Sequence, residues 1–359
     1  LGMSWPKEYG GQEEEGVYEF ILNEALARRA APQIGKGVGI IGKTLIRHGN
    51  DKLKTEFLPK ILNAEVEFAV GYSEPQAGSD AANMQLRGIH DAERGGWVLN
   101  GQKIWTSAGH LADHIFTLAR TDPESPKHKG ISFLLVPMDQ PGVEVRPIKM
   151  ISGESEFNEV FYTDARCPRE NVVGGVNNGW AVAMSLLGFE RGEAAATAPI
   201  HYQGEVDRLI EMARERGLTE DPIIRQKLAW AWSKTRIMKY NGQRVLTRFL
   251  AGHHPGPDAA IGKLYWSEYH RVVTELAMDI LGADGMHREG RPPSSASYGY
   301  QSQPSATELV SSMVWSMRSF RRETRNTSDS PARRNAPPNP LRRTSFRNLV
   351  GIGSRLRLS

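Results

Sequence analysis

The run Trp97-Val98-Leu99-Asn100-Gly101-Gln102-Lys103-Ile104-Trp105-Thr106-Ser107 decides how this chain is read. Strand-favouring residues gather at 97–99 and 104–106, and strand side chains alternate between faces, so Trp105 and Ser107 are expected on one side of a sheet. Asn100-Gly101 sits between the two runs and predicts a two-residue hairpin turn, because both positions tolerate positive φ. Further short runs at Ile131–Val136 and Val160–Tyr162, bounded by Gly, Pro, Asn and Asp, extend the β character from Phe68 to about Val173.

On either side the period changes from two to that of a helix. Val17, Phe20, Ile21 and Leu26 predict a helix over Glu13–Ala31, which Pro32 breaks; Leu53, Phe57, Leu58 and Ile61 predict another over Asp51–Ala64. Beyond the strands, Asn178 is placed to cap a helix reaching toward Gly217, which Pro199 is expected to kink or interrupt. Asp221-Pro222 opens a second helix to about Leu250, and a third runs from Asp258 to Leu281, where Gly282 terminates it. The order helices, strands, helices is an α+β arrangement rather than a doubly wound sheet. It divides the chain into an N-terminal helical domain (1–67, expected to be truncated), a small β domain (68–174), a helical bundle (175–290) and a tail (291–359).

The 359 residues, 39% hydrophobic and 24% charged, are enough for two or three domains with a sizeable core. No apolar run approaches the roughly 18 residues of a membrane span, and no signal peptide opens the chain, so a soluble protein is expected. The single cysteine, Cys167, excludes an internal disulfide and cysteine-rich zinc sites, which fits a reducing, cytoplasmic setting. A start at Leu1 rather than Met points to a fragment. The net charge of +4 hides a split: 1–290 carries 33 Lys+Arg against 38 Asp+Glu, whereas 291–359 carries 12 Arg, no Lys and 3 acids. The basic balance therefore belongs to the tail, and no nucleic-acid partner is expected for the body. With 14 Ser and 7 Pro, 291–359 reads as disordered, or as a GC-rich gene translated in a shifted frame.

Several short motifs compete for chemistry. Gly37-Val38-Gly39-Ile40-Ile41-Gly42 matches a dinucleotide fingerprint but follows a helix instead of a strand, so close helix packing is the better reading. His110 and His114 have metal-pair spacing, which converges only on a helix, whereas here it lies beside predicted strands. His253-His254 are expected to be solvated. Ser73-Glu74-Pro75-Gln76-Ala77-Gly78-Ser79-Asp80 is either an ordinary capped turn or a cradle whose backbone N–H groups face a phosphate or a flavin edge. Lys103–Ser107 is either a core tryptophan beside surface hydroxyls or part of the same site.

Taken together, Trp5-Pro6-Lys7-Glu8-Tyr9-Gly10-Gly11, the Ser73–Asp80 segment, Trp97–Ser107, Phe157-Asn158-Glu159-Val160-Phe161 and Gly179-Trp180 resemble the acyl-CoA dehydrogenases. The resemblance covers about Leu1 to Gly290 and implies that family's fold: N-terminal helices, a central small β domain and a C-terminal helical bundle. It implies FAD bound between the β domain and the bundle. The flavin-contacting segment falls on Tyr72, Ser73, Gly78 and Ser79, with Ser79 near the meeting of cofactor and acyl-CoA. Trp105 covers the flavin ring, Thr106 lies between, and Ser107 bonds the redox-active nitrogen.

Leu187-Gly188-Phe189-Glu190-Arg191 resembles the branch of the family whose catalytic base lies on the first bundle helix. This makes Glu190 the base for α-proton removal, expected in a dry cleft that raises its pKa, with Arg191 supporting acyl-CoA binding or local charge balance. The plain alternative is a solvated helix Glu paired with Arg; Glu193 is the nearest rival carboxylate. Asp279–Gly285 stands where many members carry a Gln and paired glycines for a neighbouring subunit's FAD. No Arg-x-Phe-Gly precedes Gln226, a departure shared with actinobacterial-type members. The implied activity is FAD-dependent α,β-desaturation of an acyl-CoA thioester, with electrons passing to an electron-transferring flavoprotein, in a homo- or hetero-oligomer active in fatty acid or lipid catabolism. The alternatives are a non-catalytic partner subunit, or an inactive damaged product, of the same fold and, further off, a flavin oxidase or monooxygenase.

Overall fold

The computed structural model describes residues 1–286 apart from Ala30, 32–35, Arg94, 151–154 and 252–257. The tail from 291 onward and His253-His254 thus lie outside the described residues. The N-terminal part contains α1 (Gly16–Arg28), a π-helical turn at Gly37–Gly42 running into α2 (Lys43–His48), and α3 (Asp51–Leu62). Asn50 caps α3, its side-chain oxygen accepting from Leu53 N at 2.9 Å.

The glycines at 37–42 are packing residues. A Cβ on Gly42 would sit 2.0 Å from the Trp5 ring, and Trp5 Nε1 donates to Val38 O at 3.2 Å. The match to a dinucleotide fingerprint therefore arises from a helix turn that must admit an indole, and among the described residues no strand precedes it.

The middle of the chain forms one eight-stranded sheet from β1 (Phe68–Gly71), β2 (Arg87–His90), β3 (Trp97–Ser107), β4 (His114–Arg120), β5 (Ile131–Pro137), β6 (Val143–Pro147), β7 (Phe157–Cys167) and β8 (Val172–Val173). The order is β6-β7-β3-β2-β4-β5-β8, with β1 pairing parallel to β4. Trp97–Ser107 is one continuous strand, so the hairpin expected at Asn100-Gly101 does not form there. The connection that does reverse the chain is 91–96, joining β2 to β3. Asn100-Gly101 is instead a bulge against β7: Gly101 has φ +145°, and Asn100 both donates to Asp164 Oδ1 at 2.9 Å and accepts from Asp164 N at 3.0 Å. The positive-φ tolerance that signals a turn also serves a bulge, and only the strand partner decides between them.

Three long helices follow: α4 (Gly179–Glu215), α5 (Pro222–Leu250) and α6 (Asp258–Leu281). Asn178 occupies the cap position of α4, but its side chain donates to Gly174 O at 3.0 Å and accepts no helix N–H. The fit of α4 to the sheet rests on Gly179, where a Cβ would lie 2.5 Å from Phe133 N. α4 continues as one helix through Pro199, contrary to the interruption expected. Asp221 caps α5 as read, accepting from Ile223 N and Ile224 N at 2.8 and 2.9 Å, and Gly282 ends α6 at φ +56°.

The core has three parts. Leu45, Leu53, Phe57, Phe116, Phe133, Val182 and Leu186 join the N-terminal helices, the sheet and the start of α4. Leu99, Ile115, Leu134 and Val160 fill the sheet's other face, and Val206, Leu209, Ala231, Val273 and Leu276 form the bundle interior. The result is α+β, as the change of period along the sequence indicates. Among the described residues no helix is long and apolar enough to cross a membrane.

Candidate active site

The two motif segments meet where the chain leaving β1 runs beside β3. Tyr72 and Ser73 leave β1, and Ser73 O accepts from Ile104 N of β3 at 2.9 Å. Glu74 N and Ala77 N are used inside the turn, each bonding the other residue's carbonyl at 3.0 Å, so these two amides are not offered to a ligand as the cradle reading supposes. Gly78 and Ser79 are exposed beyond that turn, and nothing lies within 4 Å of a Cβ built on Gly78. Asp80 pairs with Lys127.

Across from them β3 bulges a second time. The register moves from Lys103↔Val160 to Thr106↔Asn158, leaving Ile104 and Trp105 opposite Glu159 alone. Trp105 has φ +61°, an uncommon conformation for a bulky residue, and its side chain is 56% exposed. Its ring meets Phe157 edge-on at 6.1 Å, and Phe157 is the register partner of Ser107. Trp105 and Ser107 are thus gathered on one side, although the bulge breaks the simple alternation that predicted it.

Thr106 is fully buried and its hydroxyl has no hydrogen-bond partner, although its carbonyl accepts from Asn158 Nδ2 at 3.0 Å. Tyr72 is also left with an unpartnered buried hydroxyl; its ring packs edge-on to Phe133 at 5.9 Å. Nine buried side-chain polar atoms lack a hydrogen-bond partner among the described residues, and these two stand on adjoining segments. Burial first, and then the charge of Glu190, push the Tyr72 phenol far above its usual range. This coupling places Glu190 of α4 within electrostatic reach of Tyr72.

Glu190 itself is exposed, so the described residues do not form the dry cleft expected around the base. The side chains of Arg191 and Glu193 lie outside the described residues. Of the predicted site residues, Tyr72 and Ser73 adjoin the Trp105–Ser107 stretch of β3, Glu190 is linked to them through the effect of its charge on Tyr72, and Gly78 and Ser79 lie on the exposed flank.

Sequence reasoning missed Glu74 and Lys103. Their side chains are 2% and 0% exposed and pair at 2.8 Å beneath the two segments. Burial pushes the Lys103 ammonium down to about 8, opposed by the Glu74 charge. Burial alone would raise Glu74, but Lys103 together with the Gln85 and Leu86 amides holds it below the usual carboxylate range. The pair is charged at neutral pH. Nothing local in the sequence marks the pair: β3 also carries Asn100, Gln102, Thr106 and Ser107, so a lysine there does not stand out.

His110 and His114 do not converge: His110 Nδ1 bonds Asn158 Oδ1 at 3.1 Å, whereas His114 packs on Phe57 at 5.0 Å, and no metal-ligating cluster exists among the described residues. A cavity of about 480 Å³ lies between His48, Asn50, His90, Trp97, Arg169 and Val176, and none of the predicted site residues lines it.

Comparison with known proteins settles what kind of molecule this is. Residues 1–65, 69–165 and 177–298 match, in order, the N-terminal, middle and C-terminal domains of acyl-CoA dehydrogenase. The chain is 42% identical over 286 residues to the acyl-CoA dehydrogenase IpdE1 of Mycobacterium tuberculosis, covering 79% of this chain and 73% of that one. The chain belongs to the acyl-CoA dehydrogenase family. Two solved structures share this acyl-CoA dehydrogenase fold. The Tcur3481-Tcur3483 steroid ACAD aligns with a TM-score of 0.76 at 33% identity, covering 89% of this chain and 80% of that one. The ChsE4-ChsE5 complex from Mycobacterium tuberculosis aligns with a TM-score of 0.71 at 30% identity, covering 81% and 76%. An acyl-CoA dehydrogenase is an oxidoreductase, and acyl-CoA oxidation is the chemistry against which the site is read.

Proposed function

We propose that this chain catalyses FAD-dependent α,β-desaturation of an acyl-CoA thioester, with Glu190 as the base. The observation that supports the reading is that two orphaned hydroxyls and an exposed left-handed Trp105 lie on adjoining segments, with the charge of Glu190 felt at one of those hydroxyls. These residues fit a flavin: Tyr72 and Thr106 offer hydroxyls without internal partners, Trp105 offers an aromatic face, and Ser73 and Ser107 flank them.

FAD, when bound, supplies the acceptor for the hydrogen leaving the β carbon as hydride. Ser107 would donate to the flavin, and a fixed donor where negative charge develops favours the transition state. Trp105 would cover the ring and exclude water. Glu190 takes the α proton, and its exposed position allows a bound acyl chain to complete the desolvation that strengthens it as a base. Ser79 and Arg191 are assigned to the acyl-CoA side. Electrons leave to an electron-transferring flavoprotein in a cytoplasmic, oligomeric enzyme, with domain limits at 67, 174 and 290. The names of the steroid ACAD and of the ChsE4-ChsE5 complex favour a CoA thioester of a bulky polycyclic acid and a hetero-oligomeric assembly.

The test is to load the protein with FAD, supply an artificial electron acceptor and offer polycyclic and straight-chain acyl-CoA thioesters. Product lighter by one hydrogen pair, seen by mass spectrometry, is expected, most from the polycyclic set. No mass loss from any thioester by an FAD-loaded protein would favour the non-catalytic partner subunit.

A further inference from the structure

We propose that Glu74 and Lys103 are positioning residues, whose buried ion pair fixes Tyr72–Ser73 relative to Trp105–Ser107 at the spacing the flavin ring requires. The inference rests on the flavin reading above. Glu74 directly follows Tyr72 and Ser73 in the chain, and Lys103 is separated from Trp105 by Ile104 alone. A tie between these two side chains is therefore a tie between the two segments that face the site.

The pair is fully built. Glu74 Oε1 accepts from Lys103 Nζ at 2.8 Å and Leu86 N at 3.0 Å; Oε2 accepts from Gln85 N at 2.6 Å and Gln76 Nε2 at 2.8 Å. Lys103 Nζ donates also to Tyr72 O at 3.2 Å, so the ammonium grips the backbone of the opposite segment as well as its carboxylate. Beside it the Ile104 N to Ser73 O bond adds a parallel strut. Gly71 makes room for the lysine stem: a Cβ there would lie 3.2 Å from Lys103 Cγ and 2.9 Å from Ile115 Cδ1.

Withdrawing two charges from water is costly, and a pair of apolar residues would fill the same space with equal or better stability. What charges add is direction, because the carboxylate satisfies its four donors in one arrangement only. Lys103 is the last in-register residue before the second bulge, so that arrangement fixes where the strand departs from its ladder and presents Trp105. Neither side chain reaches the solvent-facing edge, which leaves positioning rather than contact with a ligand as the role.

The experiment compares the parent with the charge-free double variant Glu74→Gln/Lys103→Met, using FAD titration, visible circular dichroism of bound flavin and far-UV circular dichroism. The double variant is expected to keep the parental far-UV spectrum but to bind FAD about 10- to 100-fold more weakly, the range found when outer-shell partners of metal ligands are lost. Its bound flavin should also show an altered visible signature, which a purely structural pair would not change. Parental affinity and signature in the folded double variant would overturn the positioning role alone. A parent that binds no FAD would overturn the functional reading and this proposal together. If the double variant does not fold, Gln76→Met removes one donor to Glu74 and leaves the ion pair in place; about a threefold loss of FAD affinity is then expected. No loss there would overturn the proposal.

Discussion

The two bulges of β3 have different accounts. At Gly101 the irregular backbone uses the residue without a side chain, and the flanking Asn100 exchanges hydrogen bonds with Asp164. At Trp105 the same strand places a large aromatic at φ +61°, leaves it exposed and sets an unpartnered hydroxyl beside it. The first bulge is compensated within the fold. The second is compensated only in part, by Ile104 N on Ser73 O and Asn158 Nδ2 on Thr106 O, and the Thr106 hydroxyl left without a partner is assigned to a ligand. The difference teaches that a local rule broken with full compensation is architecture, whereas one compensated only in part marks function.

The largest effect expected from that contrast is on chemistry. Glu190→Gln keeps the shape of the side chain but removes the base, so flavin reduction by acyl-CoA should slow by about 10² to 10⁴ while thioester binding persists. Glu193→Gln is the control, and stopped-flow flavin bleaching measures both. A parental rate in Glu190→Gln would move the base elsewhere without touching the family assignment.

At the compensated bulge, a side chain should cost stability and little else. Gly101→Val forces a branched residue into φ +145° with Leu86 Cδ1 2.9 Å from its Cβ, so a loss of about 1 to 3 kcal/mol is expected in denaturant melts. FAD affinity of the folded fraction should be near parental.

The Trp105 bulge should show the reverse. Trp105→Gly relieves the left-handed strain and exposes little new surface, so the apo protein should be as stable as the parent or up to about 1 kcal/mol more stable. Its FAD affinity should nevertheless fall several-fold, since an aromatic contact is worth about 0.5 to 1.5 kcal/mol. A simultaneous loss of stability and no loss of FAD would erase the contrast between the two sites.

A smaller effect concerns acid. Burial, in part offset by Asp113 and Glu56 and reinforced by Lys60, holds His114 below its ordinary 6.5. The unfolded chain therefore binds a proton that the folded chain resists, and stability present above 6.5 is lost as pH falls below it. His114→Gln should flatten the thermal midpoint against pH in that range; an unchanged slope would assign the acid response to His48 or His201, which are shifted the same way.

Much of this was legible in the sequence because periodicity reports burial. The helices α3, α5 and α6 were read near their observed ends from apolar spacing, Asp221-Pro222 and Gly282. The misreadings share a cause. Asn100-Gly101 and the glycines at 37–42 announce unusual backbone, but whether that backbone makes a turn, a bulge or a seat for an indole depends on partners distant in sequence: Asp164 in one case and Trp5 in the other. Pro199 does not end its helix, which runs on to Glu215. The Glu74–Lys103 pair was invisible for the same reason, since nothing local tells a buried lysine from a solvated one.

The measurement that tests the central claim most directly is hydrogen–deuterium exchange of the full chain with and without FAD. Protection is predicted at Tyr72–Ser79 and Trp105–Ser107, with Trp97–Gly101 and Gly37–Gly42 unchanged. Protection confined to Gly37–Gly42, or no difference at Trp105–Ser107, would contradict the assignment of the Trp105 bulge to the flavin.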